Sequence, residues 1–251
     1  MGNDKPIIAV CGKGGVGKTA FSALLSRALK EAGVAPLLLI DADPAGGLIS
    51  AVGERAAKTL AGVKEELVAA ARGAGDAEKE RLANQLDYLI METLVERQGY
   101  SLLAMGRTGE KGCFCPANTL LREAIDAVSE PFALVLIDAE AGLEQINRQV
   151  TRRVTRTIVV TDGSARSIDT MKSIAEMIGA ARMCAVANRT DEIEKIELPD
   201  GIELLGAIPE DETLQEYDRD GRPLWELPSG NPALDAARGI VEKLGLVTSA
   251  G

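Results

Sequence analysis

The chain has 251 residues, of which 46% are hydrophobic and 26% are charged, so it is long enough to bury one sizeable core without disulfides. A net charge of −10 and an aromatic content of 3% argue against nucleic-acid partners, which need a basic surface or base-stacking rings. Histidine is absent, which excludes Ser-His-Asp and Cys-His catalysis and any histidine-ligated metal site.

Short apolar runs alternate with longer amphipathic segments along the chain. Runs of this length, bounded by turn residues, predict strands buried on both faces of a parallel sheet, at residues 6–11, 37–40, 102–105, 132–137, 157–160, 183–187 and 202–208. The segments between them predict helices near residues 19–32, 62–72, 77–97, 117–129, 167–179 and 232–244. This alternation predicts a single α/β domain over residues 1–251, doubly wound, with a mostly parallel sheet of about seven strands and helices on both faces.

The N-terminal apolar run covers only a few residues before glycine and lysine follow. It is too short for a signal peptide or for a membrane-spanning helix. The C-terminal segment lacks the basic amphipathic helix that a surface anchor needs. We therefore expect a cytoplasmic protein without a membrane partner.

Residues 12–19 read Gly-Lys-Gly-Gly-Val-Gly-Lys-Thr and match the phosphate-loop pattern G-x-x-x-x-G-K-[ST] in full. The segment follows an apolar strand and opens an amphipathic helix, which is the expected context. Glycines let backbone N–H groups converge on phosphate oxygens at a helix N-terminus. We expect Lys18 to reach the β- and γ-phosphates of ATP and Thr19 to ligate Mg²⁺. The predicted nucleotide contacts here are Gly12, Gly14, Gly15, Val16, Gly17, Lys18, Thr19 and Ala20.

Lys13 is a second lysine inside the loop, which an ordinary phosphate loop does not need. With Lys13, residues 13–19 resemble the deviant Walker A motif of the MinD/ParA/NifH-like ATPases. The resemblance implies that Lys13 reaches across a two-fold dimer onto the partner's nucleotide. Two chains would then enclose two molecules of ATP, which they cleave to ADP.

Carboxylates follow two of the predicted strands. Asp41 and Asp43 are two apart at the end of one strand, so both side chains can face the γ-phosphate beyond the sheet edge. The family resemblance implies that Asp43 orients or activates the attacking water and that Asp41 contacts the Mg²⁺ hydration shell. Asp138 ends another apolar strand in a Walker B pattern, which delivers one carboxylate to the metal. We expect Gly142 to give its backbone N–H to the γ-phosphate.

A separate group of residues is predicted at the adenine ring. Asn188 ends a predicted strand, and the resemblance implies that its amide reads the adenine edge, since an amide can both donate and accept. Asparagine also ends strands for purely local reasons. Arg189 is included with Asn188 among the nucleotide contacts, and the resemblance implies that Pro209 and Glu210 cover the ring.

Cys113 and Cys115 form a close pair in a predicted loop, just before a helix that Pro116 opens. Thiolates near a helix N-terminus ionise more readily. Two thiolates cannot close a tetrahedral metal site, which needs four ligands, whereas a two-fold dimer supplies four sulfurs at its axis. Cys11 and Cys184 lie within apolar runs instead and are expected to be small core residues.

Residues 112–122, together with the aspartate motifs, resemble the CooC-type carbon monoxide dehydrogenase accessory ATPases. The resemblance covers most of the chain. It implies an ATP-hydrolysing metallochaperone, a homodimer that binds Ni²⁺ or Zn²⁺ between its subunits and assists nickel insertion into carbon monoxide dehydrogenase or acetyl-CoA synthase. Two alternatives stay open. One is an iron-protein-like reductase with a subunit-bridging [4Fe–4S] cluster, and the other is a MinD/ParA-type positioning ATPase.

Overall fold

A computed structural model describes residues 5–72, 75, 81, 85–107, 123–139, 153–190 and 193–246 of the chain. The strands of its sheet are β1 (Ile7–Cys11), β2 (Leu37–Asp41), β3 (Val95–Arg97), β4 (Tyr100–Ala104), β5 (Leu134–Asp138), β6 (Arg156–Thr161), β7 (Met183–Asn188) and β8 (Glu203–Ile208). The helices are α1 (Lys18–Glu31), α2 (Gly47–Val52), α3 (Leu60–Ala71), α4 (Leu86–Met91), α5 (Ala165–Ile178), α6 (Glu212–Arg219) and α7 (Pro232–Leu244). Residues 123–128 are also helical.

The strands form one sheet in the order β3-β4-β2-β5-β1-β6-β7-β8. Neighbouring strands are parallel throughout, except that β3 pairs antiparallel with β4. The doubly wound α/β prediction is therefore confirmed, with one strand more than expected. The extra strand is β3, so the helix predicted for residues 77–97 is wrong at its C-terminal end. A turn at Gly99, where φ is +86°, returns the chain into β4.

The side chains of the strands alternate between two cores, one on each face of the sheet. On β2, Leu37 and Leu39 belong to one core, whereas Leu38 and Ile40 belong to the other. Residues of α1, α2 and α7 cover the first core, and residues of α3, α4 and α5 cover the second. Burial on both faces explains why these strands read as continuous apolar runs in the sequence.

Helices α1, α3, α5 and α7 lie within two residues of their predicted bounds, which is the ordinary uncertainty of helix ends. Helices α2 and α6 were not predicted. They contain only 6 and 8 residues, too few for a helical period to stand out in the sequence. Among the described helices, none has the length and apolar content that crossing a bilayer requires.

Helix α7 contains a glycine whose side-chain position is open. Among the described residues, no atom outside the helix backbone lies within 4 Å of the place that a Cβ of Gly239 would take. Because glycine inside a helix costs about 0.5–1 kcal/mol relative to alanine, we expect Gly239→Ala to raise the free energy of unfolding by that amount. Urea denaturation measures the change. Gly206→Ala is the control, since its Cβ would lie 3.2 Å from Cγ1 of Ile240, and equal stabilisation of both variants would contradict the argument.

Candidate active site

The loop between β1 and α1 is shaped by glycines at positions where a side chain does not fit. Gly12 has a φ of +141°, and a Cβ there would lie 2.4 Å from the carbonyl oxygen of Val160. Gly17 has a φ of +87°, and its Cβ would lie 2.3 Å from Nδ2 of Asn188. That amide donates to the carbonyl of Val16 at 2.7 Å, so the end of β7 supports the loop. Both positions therefore require glycine.

Helix α1 begins without a side-chain cap. Its N-cap residue is Gly17, no side chain of the described residues caps it, and its first turn holds no acidic residue. Helices α5, α6 and α7 are capped instead by the side chains of Ser164, Asp211 and Asn231. The first N–H groups of α1 and the positive end of its dipole therefore remain available to an anion.

The two lysines of the loop have different surroundings. Nζ of Lys18 lines the cleft described below and donates to the backbone carbonyl of Lys13 at 3.3 Å. Nζ of Lys13 lies at the surface, 3.4 Å from Oδ2 of Asp162 and 3.5 Å from Oγ of Ser164. Exposed ion pairs contribute only about 0–1 kcal/mol. The Lys13 ammonium is therefore held weakly to its own chain.

A cleft of about 390 Å³ opens beside the loop. Its described lining residues come from the loop, the start of α1, the turn after β2, the end of β7 and helix α6: Gly14, Gly15, Gly17, Lys18, Thr19, Ala20, Asp43, Arg189 and Asp218. The volume lies within the range of small-molecule sites. Asp218 is the described lining residue that the sequence does not indicate, because it lies on the exposed face of α6 beside other acidic residues and belongs to no motif.

Asp138 ends β5 beneath the loop and is 1% exposed. Its Oδ2 accepts a hydrogen bond from the Thr19 hydroxyl at 2.8 Å, and its Oδ1 accepts one from the Ser22 hydroxyl at 2.9 Å. Burial raises the pKa of Asp138 to about 6, whereas the two hydroxyls and the charge of Lys18 act in the opposite direction. The carboxylate is thus joined directly to the residue that is expected to ligate Mg²⁺.

Asp41 ends β2 beside Asp138 and is fully buried. Its Oδ2 accepts from the N–H of Ile49 at 3.1 Å, and its Oδ1 accepts from the N–H of Asp43 at 3.3 Å. Burial raises the pKa of Asp41 to about 7, and these amide hydrogen bonds oppose the rise. In this arrangement Asp41 holds the first turn of α2. Its contact with the Mg²⁺ hydration shell stays a prediction.

The oxygen atoms at the start of α1 and at the ends of β2 and β5 fit a magnesium ion that is held jointly with phosphates. Thr19 supplies a hydroxyl, and Asp43 and Asp138 supply carboxylates, which are the ligands that Mg²⁺ prefers. Mg²⁺ usually binds through one or two carboxylates together with substrate phosphates. The described residues contain no group of three or more Cys, Asp or Glu side chains that could hold an ion by itself. Asp43 meanwhile accepts the N–H of Ala45 at 2.8 Å, which closes the turn after β2.

The residues expected at the adenine ring differ in position. Arg189 lines the cleft and has a left-handed backbone with φ +58°, which is uncommon outside glycine and often marks a functional position. Asn188 uses its Nδ2 to hold the loop, as described above. Pro209 and Glu210 are not among the described lining residues, and Glu210 accepts from Nε2 of Gln215 at 3.1 Å. Contact with adenine stays a prediction for all four.

Three residues of the predicted site, Gly142, Cys113 and Cys115, lie outside the described residues. The other cysteines, Cys11 and Cys184, are buried free thiols. Burial raises the pKa of each to about 12, so both stay protonated and unreactive. Their predicted role as core residues is confirmed.

The chain is similar to a known protein family and to individual proteins. Residues 7–224 match the CobQ/CobB/MinD/ParA nucleotide-binding domain family, and this segment contains the loop and all strands of the sheet. An uncharacterised ATP-binding protein of Methanocaldococcus jannaschii is 38% identical over 255 residues, which covers 95% of the chain and 98% of the relative.

A second relative and one solved structure extend this result. The carbon monoxide dehydrogenase accessory protein CooC of Rhodospirillum rubrum is 33% identical over 238 residues, which covers 88% of the chain and 89% of the relative. The structure of the septum site-determining protein MinD of Pyrococcus horikoshii, complexed with Mg-ADP, is similar with a TM-score of 0.65 and 21% identity, covering 95% of each chain. At this identity the similarity concerns the fold.

Proposed function

Since the chain belongs to the CobQ/CobB/MinD/ParA nucleotide-binding family and is an ATPase of that family, we propose that it is an ATP-driven metallochaperone. Two chains form a nucleotide-dependent homodimer and bind Ni²⁺ or Zn²⁺ through Cys113 and Cys115 of each chain. The dimer assists nickel insertion into carbon monoxide dehydrogenase or acetyl-CoA synthase. The observation that carries this proposal is the Cys113/Cys115 pair in a chain whose phosphate loop also holds Lys13. The CooC relative supports the same assignment.

ATP hydrolysis in this proposal uses the residues that line the cleft. The free N–H groups at the start of α1 and the ammonium of Lys18 bind the phosphates. Asp43 orients the attacking water, and Asp138 fixes Thr19 through the 2.8 Å hydrogen bond. When bound, Mg²⁺ neutralises the charge that develops on the phosphate oxygens. The protein therefore acts mainly by positioning and by electrostatic stabilisation.

Lys13 is the residue that connects hydrolysis to the dimer. Its ammonium lies at the surface, not in its own cleft, and its described contacts to Asp162 and Ser164 are long, at 3.4 and 3.5 Å. Such contacts cost little to break, since exposed ion pairs contribute about 0–1 kcal/mol. The Lys13 side chain can therefore give up these contacts and reach the phosphates that the partner chain binds. Each chain then completes the site of the other.

The metal cargo is assigned to the cysteine pair by the chemistry of the thiols. The chain has four cysteines, and the buried thiols of Cys11 and Cys184 are unavailable to an ion. Cys113 and Cys115 of two chains supply four sulfurs, the tetrahedral set that structural Zn²⁺ takes. Ni²⁺ enters the proposal through the likeness to the CooC relative. Hydrolysis, by loosening the dimer, would release the ion to the client enzyme.

Replacing Cys113 and Cys115 is expected to remove the metal site and to leave ATP hydrolysis in place. In Cys113→Ala/Cys115→Ala, Ni²⁺ and Zn²⁺ should bind at least about 10-fold more weakly, because loss of even the groups that support metal ligands costs that much. Isothermal titration calorimetry of the purified protein without nucleotide, with ADP and with ATP measures the affinities. Cys184→Ala is the control, since it removes a buried thiol outside the pair and should bind metal as the unaltered protein does.

Several outcomes of these measurements would contradict the proposal. Equal metal affinities in the three nucleotide states, with an unchanged oligomeric state, would show that ATP does not control the binding of Ni²⁺ or Zn²⁺. An iron-protein-like reductase would instead purify anaerobically as a brown protein with a visible absorption band from its cluster. A positioning ATPase would sediment with liposomes, or retard DNA in a gel, when ATP is present.

A further inference from the structure

Helix α1 carries a second hydroxyl that contacts Asp138. Ser22 lies three residues after Thr19, so the two side chains project from the same face of the helix. Ser22 is 0% exposed, and its Oγ donates to Oδ1 of Asp138 at 2.9 Å. Thr19 donates to Oδ2 of the same carboxylate at 2.8 Å. One helix therefore holds Asp138 at both oxygens.

Ser22 acts on the site only through Asp138. It is fully buried and is not among the described residues that line the cleft, so it does not reach a bound nucleotide. The terminal torsion of an aspartate side chain is broad, so the orientation of the carboxylate depends on its hydrogen-bond partners. Asp138 is 1% exposed, which leaves little room for water to replace a lost partner. Without the Ser22 hydroxyl, Oδ1 loses its described donor and the carboxylate is free to rotate.

We propose that Ser22 is a positioning residue for the Mg²⁺ ion of the ATPase reaction. By holding Oδ1 of Asp138, Ser22 keeps Oδ2 directed at the Thr19 hydroxyl and so orients the Thr19 oxygen toward the cleft. Replacing a group that orients a metal ligand in this way typically lowers metal affinity about 10- to 100-fold. The inference rests on the ATP-hydrolysing part of the proposed function and is independent of the cysteine pair.

Ser22→Ala is expected to weaken Mn²⁺ binding about 10- to 100-fold in the presence of a non-hydrolysable ATP analogue. Mn²⁺ serves as the probe because electron paramagnetic resonance measures the free ion directly. Ser26→Ala is the matched control. Ser26 is another fully buried serine of α1, but its hydroxyl donates to the carbonyl of Ala23 at 2.8 Å and accepts from Nε1 of Trp225 at 3.2 Å, and neither bond involves Asp138. Its variant should bind Mn²⁺ as the unaltered protein does.

Two further measurements separate positioning from a general loss of structure. The affinity for the analogue in EDTA should be the same in Ser22→Ala and the unaltered protein, because the phosphates contact the loop and not Ser22. Ser22→Thr keeps a hydroxyl and should recover Mn²⁺ binding. Equal Mn²⁺ affinities in Ser22→Ala and Ser26→Ala would overturn the inference, and so would a Ser22→Thr variant no better than Ser22→Ala. Neither result bears on Ni²⁺ or Zn²⁺ binding by the cysteines, which tests the metallochaperone proposal separately.

Discussion

Gly17→Ala is expected to weaken ATP binding roughly 10- to 300-fold. The backbone of Gly17 is left-handed, with φ +87°, and alanine in that region costs about 1–2 kcal/mol, so the loop of the variant relaxes and must regain this conformation when it binds ATP. The new Cβ would lie 2.3 Å from Nδ2 of Asn188, so the amide must leave the Val16 carbonyl, which costs about 0.5–1.5 kcal/mol more. Because about 1.4 kcal/mol is a factor of ten in an equilibrium constant, the sum corresponds to a loss of roughly 10- to 300-fold.

The affinity of Gly17→Ala is measured by calorimetric titration with ATP and Mg²⁺. Gly33→Ala is the matched control. Gly33 has a nearly identical φ of +83°, but no atom of the described residues beyond its chain neighbours lies within 4 Å of its Cβ position. It follows the end of α1 that is far from the cleft. Gly33→Ala should therefore lose stability through backbone strain while ATP binding is retained. Similar ATP affinities in the two variants would contradict the idea that the contact between Gly17 and Asn188 shapes the loop.

The strands that the sequence predicts well are those that the fold buries on both faces. The run of apolar residues in β2 is a direct consequence of the two cores on which Leu37–Asp41 packs. The sequence does not predict strand β3, because Val95–Arg97 is short, partly exposed and paired only along one edge. Hydrophobic periodicity does not predict helix α2 either. Its first turn is held by Asp41 through the N–H of Ile49, a contact that periodicity does not reveal.

The same distinction applies to the candidate site. Lys18, Thr19 and the carboxylates could be predicted because each belongs to a local pattern at a strand end or a helix start. Ser22 could not, because its role depends on Asp138, a residue 116 positions away. Asp218 lines the cleft on an acidic helix where no local pattern sets it apart from its exposed neighbours. The residues that the sequence does not indicate are those that only tertiary contact brings to the candidate site.

Asp43→Asn is expected to lower kcat for ATP hydrolysis about 100- to 1,000-fold while ATP still binds, because the amide cannot activate the attacking water as a carboxylate does. Asparagine keeps an oxygen that can accept the N–H of Ala45, which Oδ1 of Asp43 accepts at 2.8 Å, so the turn after β2 retains its shape. Phosphate release at saturating ATP and calorimetric titration with ATP measure the two properties. Asp220→Asn, which removes an equivalent charge from the exposed end of α6, should hydrolyse ATP normally.

Asp43→Asn also separates hydrolysis from dimer formation. If ATP closes two chains and hydrolysis opens them, the ATP-loaded variant should remain a dimer in analytical ultracentrifugation. Adding Lys13→Ala should return it to the monomer, because the Lys13 ammonium, held in its own chain only by the long contacts to Asp162 and Ser164, is the group that reaches the partner's phosphates. An ATP-bound Asp43→Asn monomer, or a dimer that persists without Lys13, would contradict a site shared between subunits. If each ATP site were confined to one chain, ATP binding would not bring the cysteines of two chains together, and metal binding would not depend on the nucleotide.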